Sequence, residues 1–146
     1  MENYQKAFAS GESIALQAND GDGAKIEAIS VDTTLTAEDS GKIFTLDAVG
    51  EVITLPGVAV ADGLKYKFIC SVVTATSDWT IVAATNVIFG SAQVAGAVIP
   101  ADAENTITLV VAKFLPGDWV SLVSDGTNWY VEASVVTTVG LTFTAP

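Results

Sequence analysis

From Lys25 to Thr144 apolar and polar side chains alternate with a period of two, and that alternation restricts the chain to half-buried strands more firmly than any other feature. Leu64, Tyr66, Phe68, Cys70 and Val72 form one series, and Trp119, Ser121 and Val123 followed by Trp129, Val131 and Ala133 form two more. The residue types agree. Val, Ile and Thr number 19, 10 and 16, or 45 of 146 residues, and β-branched side chains lose rotamer freedom in helices but pack well on a pleated surface. Turn formers punctuate the series at short spacing: Asp39-Ser40-Gly41, Ala61-Asp62-Gly63, Leu115-Pro116-Gly117-Asp118 and Ser124-Asp125-Gly126. Short connections favour antiparallel hairpins, the clearest running from Trp119 to Ala133. The expected fold is all-β: an antiparallel β-sandwich or barrel-like body of about ten short strands. Two stretches, Ala37–Asp39 and Pro100–Glu104, could hold at most a turn of helix, and both read equally well as loops.

A length of 146 residues suits one domain with one core. Residues 1–23 differ from the rest of the chain: they are polar, and their apolar groups Tyr4, Phe8, Ile14 and Leu16 keep no common period. Asn19-Asp20-Gly21-Asp22-Gly23 then clusters turn formers. The expected organisation is an extended N-terminal arm over 1–23 and a β domain over 24–146.

Charge and side-chain inventory narrow the chemistry. Seventeen acidic and six basic residues leave a formal charge of -11, all six bases are lysines, and the chain has neither arginine nor histidine. An imidazole base, a histidine-bound metal, a bidentate guanidinium grip on phosphate and a basic groove for nucleic acid are therefore out of reach. The same charge disfavours anionic membrane surfaces, and no stretch approaches the roughly 18 apolar residues that cross a bilayer. Cys70 is the only cysteine, so no intrachain disulfide forms, and its apolar surroundings read as core packing. The acidic run at Asp20 fails the calcium-loop pattern, because Lys25 falls where glycine is needed. Neither a Ser-x-x-Lys stretch nor a Gly-x-Ser-x-Gly elbow is present. The expectation is a protein without enzymatic activity and without cofactor or metal.

Two groups of side chains suit contact with a partner. Lys65 and Lys67 sit one pleat apart on a strand whose other face is Tyr66, Phe68 and Cys70. They form a solvated face, guard an edge against aggregation, or make a docking contact with an acidic partner. Trp79, Trp119, Trp129, Tyr66 and Tyr130 either fill the core or form a sugar-stacking surface. Trp129 and Tyr130, being adjacent, point to opposite faces.

The segments TLTAEDSGKIFTLDAVGEVITLPG (34–57), GLKYKFIC (63–70), SDWTIVAATNVIFGS (77–91) and GDWVSLVSDGTNWYVEAS (117–134) resemble small structural proteins of tailed bacteriophages, most of all head decoration or capsid-cement proteins. The resemblance spans about 100 of 146 residues. It implies a virion protein on the capsid surface, made in the host cytoplasm, binding the major capsid protein and assembling as a homo-oligomer, a trimer in the first instance. It further implies that Tyr4, Phe8, Ile14 and Leu16 anchor the arm by burying apolar area against the major capsid protein. The alternative is a head or tail fibre module that binds a host surface glycan. The chain's end at Thr144-Ala145-Pro146 without a stalk favours the decoration reading.

Overall fold

The computed structural model describes residues 24–146. The expected arm, with Tyr4, Phe8, Ile14 and Leu16, lies outside these residues. The described chain is all-β, twelve strands in two sheets with short 3-10 turns at Ala37–Asp39 and Val58–Val60. In chain order the strands are β1 Ile26–Ile29, β2 Thr33–Thr34, β3 Ile43–Leu46, β4 Val52–Thr54, β5 Lys65–Cys70 and β6 Trp79–Val82. They continue as β7 Ile88–Val94, β8 Ala97–Glu104, β9 Thr106–Leu109, β10 Trp119–Ser124, β11 Trp129–Val135 and β12 Leu141–Thr144. The larger sheet has the order β1-β3-β5-β10-β11-β7-β8 and the smaller β12-β9-β6-β4-β2.

The strand pairing departs from the hairpin expectation. Five pairings are antiparallel and five parallel. The reason lies in the route of the chain. Its first six strands alternate between the sheets, so β1, β3 and β5 lie side by side in one while β2, β4 and β6 lie side by side in the other. Each short turn carries the chain across to the opposite sheet, and the intervening strand serves as the crossover that a parallel pair requires. Turn spacing reveals that the chain reverses; it does not reveal which sheet receives it. The late hairpins β7–β8 and β10–β11 do follow the simple pattern. Ala95 and Gly96 join β7 to β8 with positive φ of 51° and 83°, the two-residue turn that matches strand twist. Pro100–Glu104 is the second half of β8 rather than a helical turn.

Between the sheets the inward positions form one core. Trp79, Trp129, Tyr66, Phe44, Phe68 and Phe114 are its largest fully buried members. Phe44 and Phe68, on neighbouring strands, stack at 5.6 Å between ring centroids. The Tyr66 and Trp129 rings meet at the same distance, tilted by 34°. Buried polar tips find acceptors, as they must in a low-dielectric interior. The Tyr66 hydroxyl donates to the Thr36 carbonyl at 2.7 Å, and the Trp79 and Trp129 indole N–H groups donate to the carbonyls of Asp47 and Pro56. Burial, and less strongly the nearby Asp39 carboxylate, pushes the Tyr66 phenol up to about 12. Gly90 marks the closest approach of β7 to β11: a Cβ there would lie 2.2 Å from the Val131 carbonyl oxygen.

Candidate docking face

Because strand residues alternate, the outward face of the larger sheet is given by its register. One row across all seven strands reads Ile26, Ile43, Lys67, Ser121, Glu132, Ser91 and Pro100. The row beside it reads Ala28, Thr45, Ile69, Trp119, Ser134, Gln93 and Val98. A third, shorter row carries Lys65, Val123, Tyr130, Phe89 and Asp102. This face thus combines two lysines, two carboxylates and a broad apolar and aromatic ground. Ile26 and Val98, at its two ends, keep 66% and 65% of their surface exposed.

Lys65 and Lys67 fall together on this face, as their spacing predicts. Their strand β5 is paired on both sides, by β3 and β10, so the edge-guard role is excluded by position. Lys67 Nζ lies 4.8 Å from the centroid of the Trp119 ring, within cation–π range. Among the described residues no carboxylate comes within ion-pair distance of Lys65 or Lys67. Lys42, by contrast, is held by Asp39 at 2.6 Å and Glu27 at 3.0 Å. Those contacts raise the pKa of Lys42, chiefly through its hydrogen bond to Asp39, and the same bond lowers that of Asp39.

The three tryptophans separate. Trp79 and Trp129 are fully buried and only Trp119 reaches the outer face, where Tyr130 joins it one strand away. Beside Trp119 a groove of about 390 Å³ is lined by Ser91, Gln93, Val98, Glu132 and Ser134. The β10–β11 hairpin that carries both aromatics is set by Asp125. Its carboxylate accepts the backbone N–H groups of Thr127 and Asn128 at 2.9 and 2.8 Å, and the Tyr130 hydroxyl at 2.9 Å. These bonds, the two from the backbone foremost, hold Asp125 below the usual carboxylate range. At the other end of β10, Asp118 is 3% exposed and accepts the N–H groups of Leu115 and Val136 at 2.8 and 3.1 Å. Trp119 is therefore anchored by its immediate neighbour.

Sequence reasoning found Lys65, Lys67, Trp119 and Tyr130 but missed Ile26, Ile43, Phe89 and Val98. Their signal was present in part: Ile43 and Phe89 lie out of phase with the buried Phe44 and Ile88, while Ile26 and Val98 have no buried neighbour in the chain. Only the strand order brings them to one surface. The outer face of the smaller sheet is different in kind. Its rows, Thr142-Thr108-Thr80-Val52 and Thr144-Thr106-Val82-Thr54-Thr34, carry no charge at all. Among the described residues no three His, Cys, Asp or Glu side chains are placed to hold a metal ion, and no helix is long and apolar enough to cross a membrane. Comparison with family models, curated proteins and solved structures returns no match.

Proposed function

We propose that the protein is a structural virion protein that binds the outside of a phage capsid and stabilises it, working as a homo-oligomer, a trimer in the first instance. The observation that supports this reading is the outer face of the larger sheet. On a chain of net charge -11, Lys65 and Lys67 stand unpaired among the described residues, surrounded by exposed apolar and aromatic groups. Such a face suits a protein surface that is apolar at its centre and acidic at its rim. Charge of the opposite sign steers the approach, and the apolar ground supplies the burial that holds the complex. Resemblance of the segments around Thr34, Gly63, Ser77 and Gly117 to capsid-decoration proteins selects a phage shell as that surface. Mixing the purified protein with undecorated shells and sedimenting them tests the proposal. Binding at a fixed ratio to the major capsid protein is the expected result, weakened at least about tenfold by Lys65→Glu with Lys67→Glu. Absence of shell binding by the folded protein overturns it.

A second reading, a fibre module that binds a host surface glycan, is favoured by the groove at Trp119, where an aromatic ring adjoins Gln93, Glu132 and Ser134. Binding to cells or isolated glycans that Trp119→Ala abolishes, with no binding to shells, selects that reading instead.

A further inference from the structure

Along most of β8 the odd-numbered side chains face inward: Ala97 and Ile99 stand opposite the core residues Val94 and Ala92, and Ala101 is itself buried. Continued alternation would put Ala103 inside and Glu104 outside. A bulge reverses that order. Asp102 pairs with Phe89 and Glu104 with Ile88, which makes Ala103 the extra residue, and its φ is 63°. Ile88 is fully buried, so Glu104, directly opposite it, takes the inward position. The bulge thus aims a carboxylate into the body of the protein.

It aims it at the flank where β8 ends the larger sheet and β12 ends the smaller. There a groove of about 380 Å³ opens, with Val94, Ile99, Val139, Leu141 and Phe143 as apolar walls and Glu104 among its lining. Glu104 Oε2 is buried without a hydrogen-bond partner among the described residues, and no lysine of those residues lies within ion-pair distance of it. A carboxylate oxygen withdrawn from water with no donor is costly and calls for a counterpart. The backbone of the groove is strained as well. Val139 has a φ of 53°, in the left-handed region that β-branched residues seldom adopt, and strain of this kind concentrates at ligand sites. The volume is in the range of small-molecule sites and far above the roughly 30 Å³ that one water takes up.

We propose that this groove binds a small amphiphilic ammonium, its hydrocarbon part lying against Ile99, Leu141 and Phe143 and its cationic N–H donating to Glu104 Oε2. The apolar walls select a molecule that is hydrocarbon over most of its length, and the single unpaired acceptor selects a donor at one tip. A chain of net charge -11 favours a cation over a neutral donor, and a charge-assisted bond to the carboxylate is stronger than a neutral one. The site is separate from the outward face that carries Lys65, Lys67 and Trp119, and it goes beyond the shell-binding reading: either holds without the other.

Titrating hexylammonium, hexanol and hexanoate into the full chain, with the amide resonances of Ile99, Glu104, Leu141 and Phe143 as the readout, tests the proposal. Hexylammonium should shift these resonances saturably with a Kd on the order of 1 mM. Hexanol should bind at least about tenfold more weakly, and hexanoate not at all. Glu104→Gln should reduce hexylammonium to the level of hexanol and leave hexanol unchanged, a difference that a merely structural role for Glu104 would not produce. Ala97→Trp, which fills the groove beside an intact Glu104, should abolish the shifts for both. Three results each overturn the proposal: none of the three probes binds the folded chain, hexanol binds as tightly as hexylammonium, or the affinity for hexylammonium survives Glu104→Gln. Shell binding is read separately by sedimentation, so its failure leaves these outcomes unaffected.

Discussion

Replacing Asp118 with alanine isolates a contact that couples the loop before β10 to the segment after β11. The carboxylate is 3% exposed and accepts two backbone N–H groups, those of Leu115 and Val136, at 2.8 and 3.1 Å. Alanine leaves both donors without their acceptor in a largely water-free site. Hydrogen bonds to a charged group contribute about 1.5–3 kcal/mol each, and partial water entry at the loop recovers some of the loss, so the expected cost is about 3 kcal/mol. For a chain of this size that corresponds to a fall in Tm of roughly 10 °C. Urea unfolding followed by tryptophan emission measures it directly, with a lower midpoint and an unchanged slope. The Trp119 environment should change as well, since the ring's own neighbour has lost its anchor. A loss below about 1 kcal/mol refutes the reasoning, because it means that water replaces the carboxylate at little cost.

Burial, the Asp118 charge adding to it, pushes the Cys70 thiol up to about 11, so a thiol reagent at about pH 8 should leave native protein unmodified and react fully once urea unfolds it. Measurable labelling at a rate independent of unfolding contradicts that. Glu51 has its pKa raised by its hydrogen bond to Asp32, with burial and the Asp32 and Asp47 charges adding to the effect. The folded state thus holds the Glu51 proton more tightly than the unfolded state does. That stabilisation is complete below the ordinary glutamate value of 4.5 and is lost as pH rises through the folded value. Glu51→Gln should accordingly raise Tm near neutral pH and lose its advantage in acid, a difference that thermal scans across pH would reveal; an equal effect at both ends rules out the carboxylate pair as the cause.

The alternation in 64–70 and 129–133 was enough to place the core side of β5 and β11, because period-two burial is a local property of a strand, whereas in β10 the series Trp119, Ser121 and Val123 faces outward and Val120 and Leu122 fill the core. Trp129 inside and Tyr130 outside follow from adjacency alone. The turn at Ser124-Asp125-Gly126 was equally legible, since Asp125 binds backbone groups only two and three residues away. The strand of Pro100–Glu104 was not, since Ala, Asp and Glu are weak strand formers and β8 is held in place by its long pairing with β7. Lys65 and Lys67 could be assigned to one face from spacing. Whether that face guards an edge or belongs to the middle of a sheet was beyond their reach, because it depends on β3 and β10, which lie distant in sequence.

By itself, then, the amino-acid order determined the all-β class, the inward side of β5 and β11 and the turns, each governed by neighbours along the chain. Tertiary structure decided the rest. It made four of the ten pairings parallel by passing early strands back and forth between sheets, assembled Ile26, Lys67, Trp119 and Val98 into one surface, and left β12 at the edge of the smaller sheet beside an apolar groove. Those outcomes are set by long-range pairing, in which the free energy of burying two sheets against each other selects among strand orders that local preferences leave nearly equal.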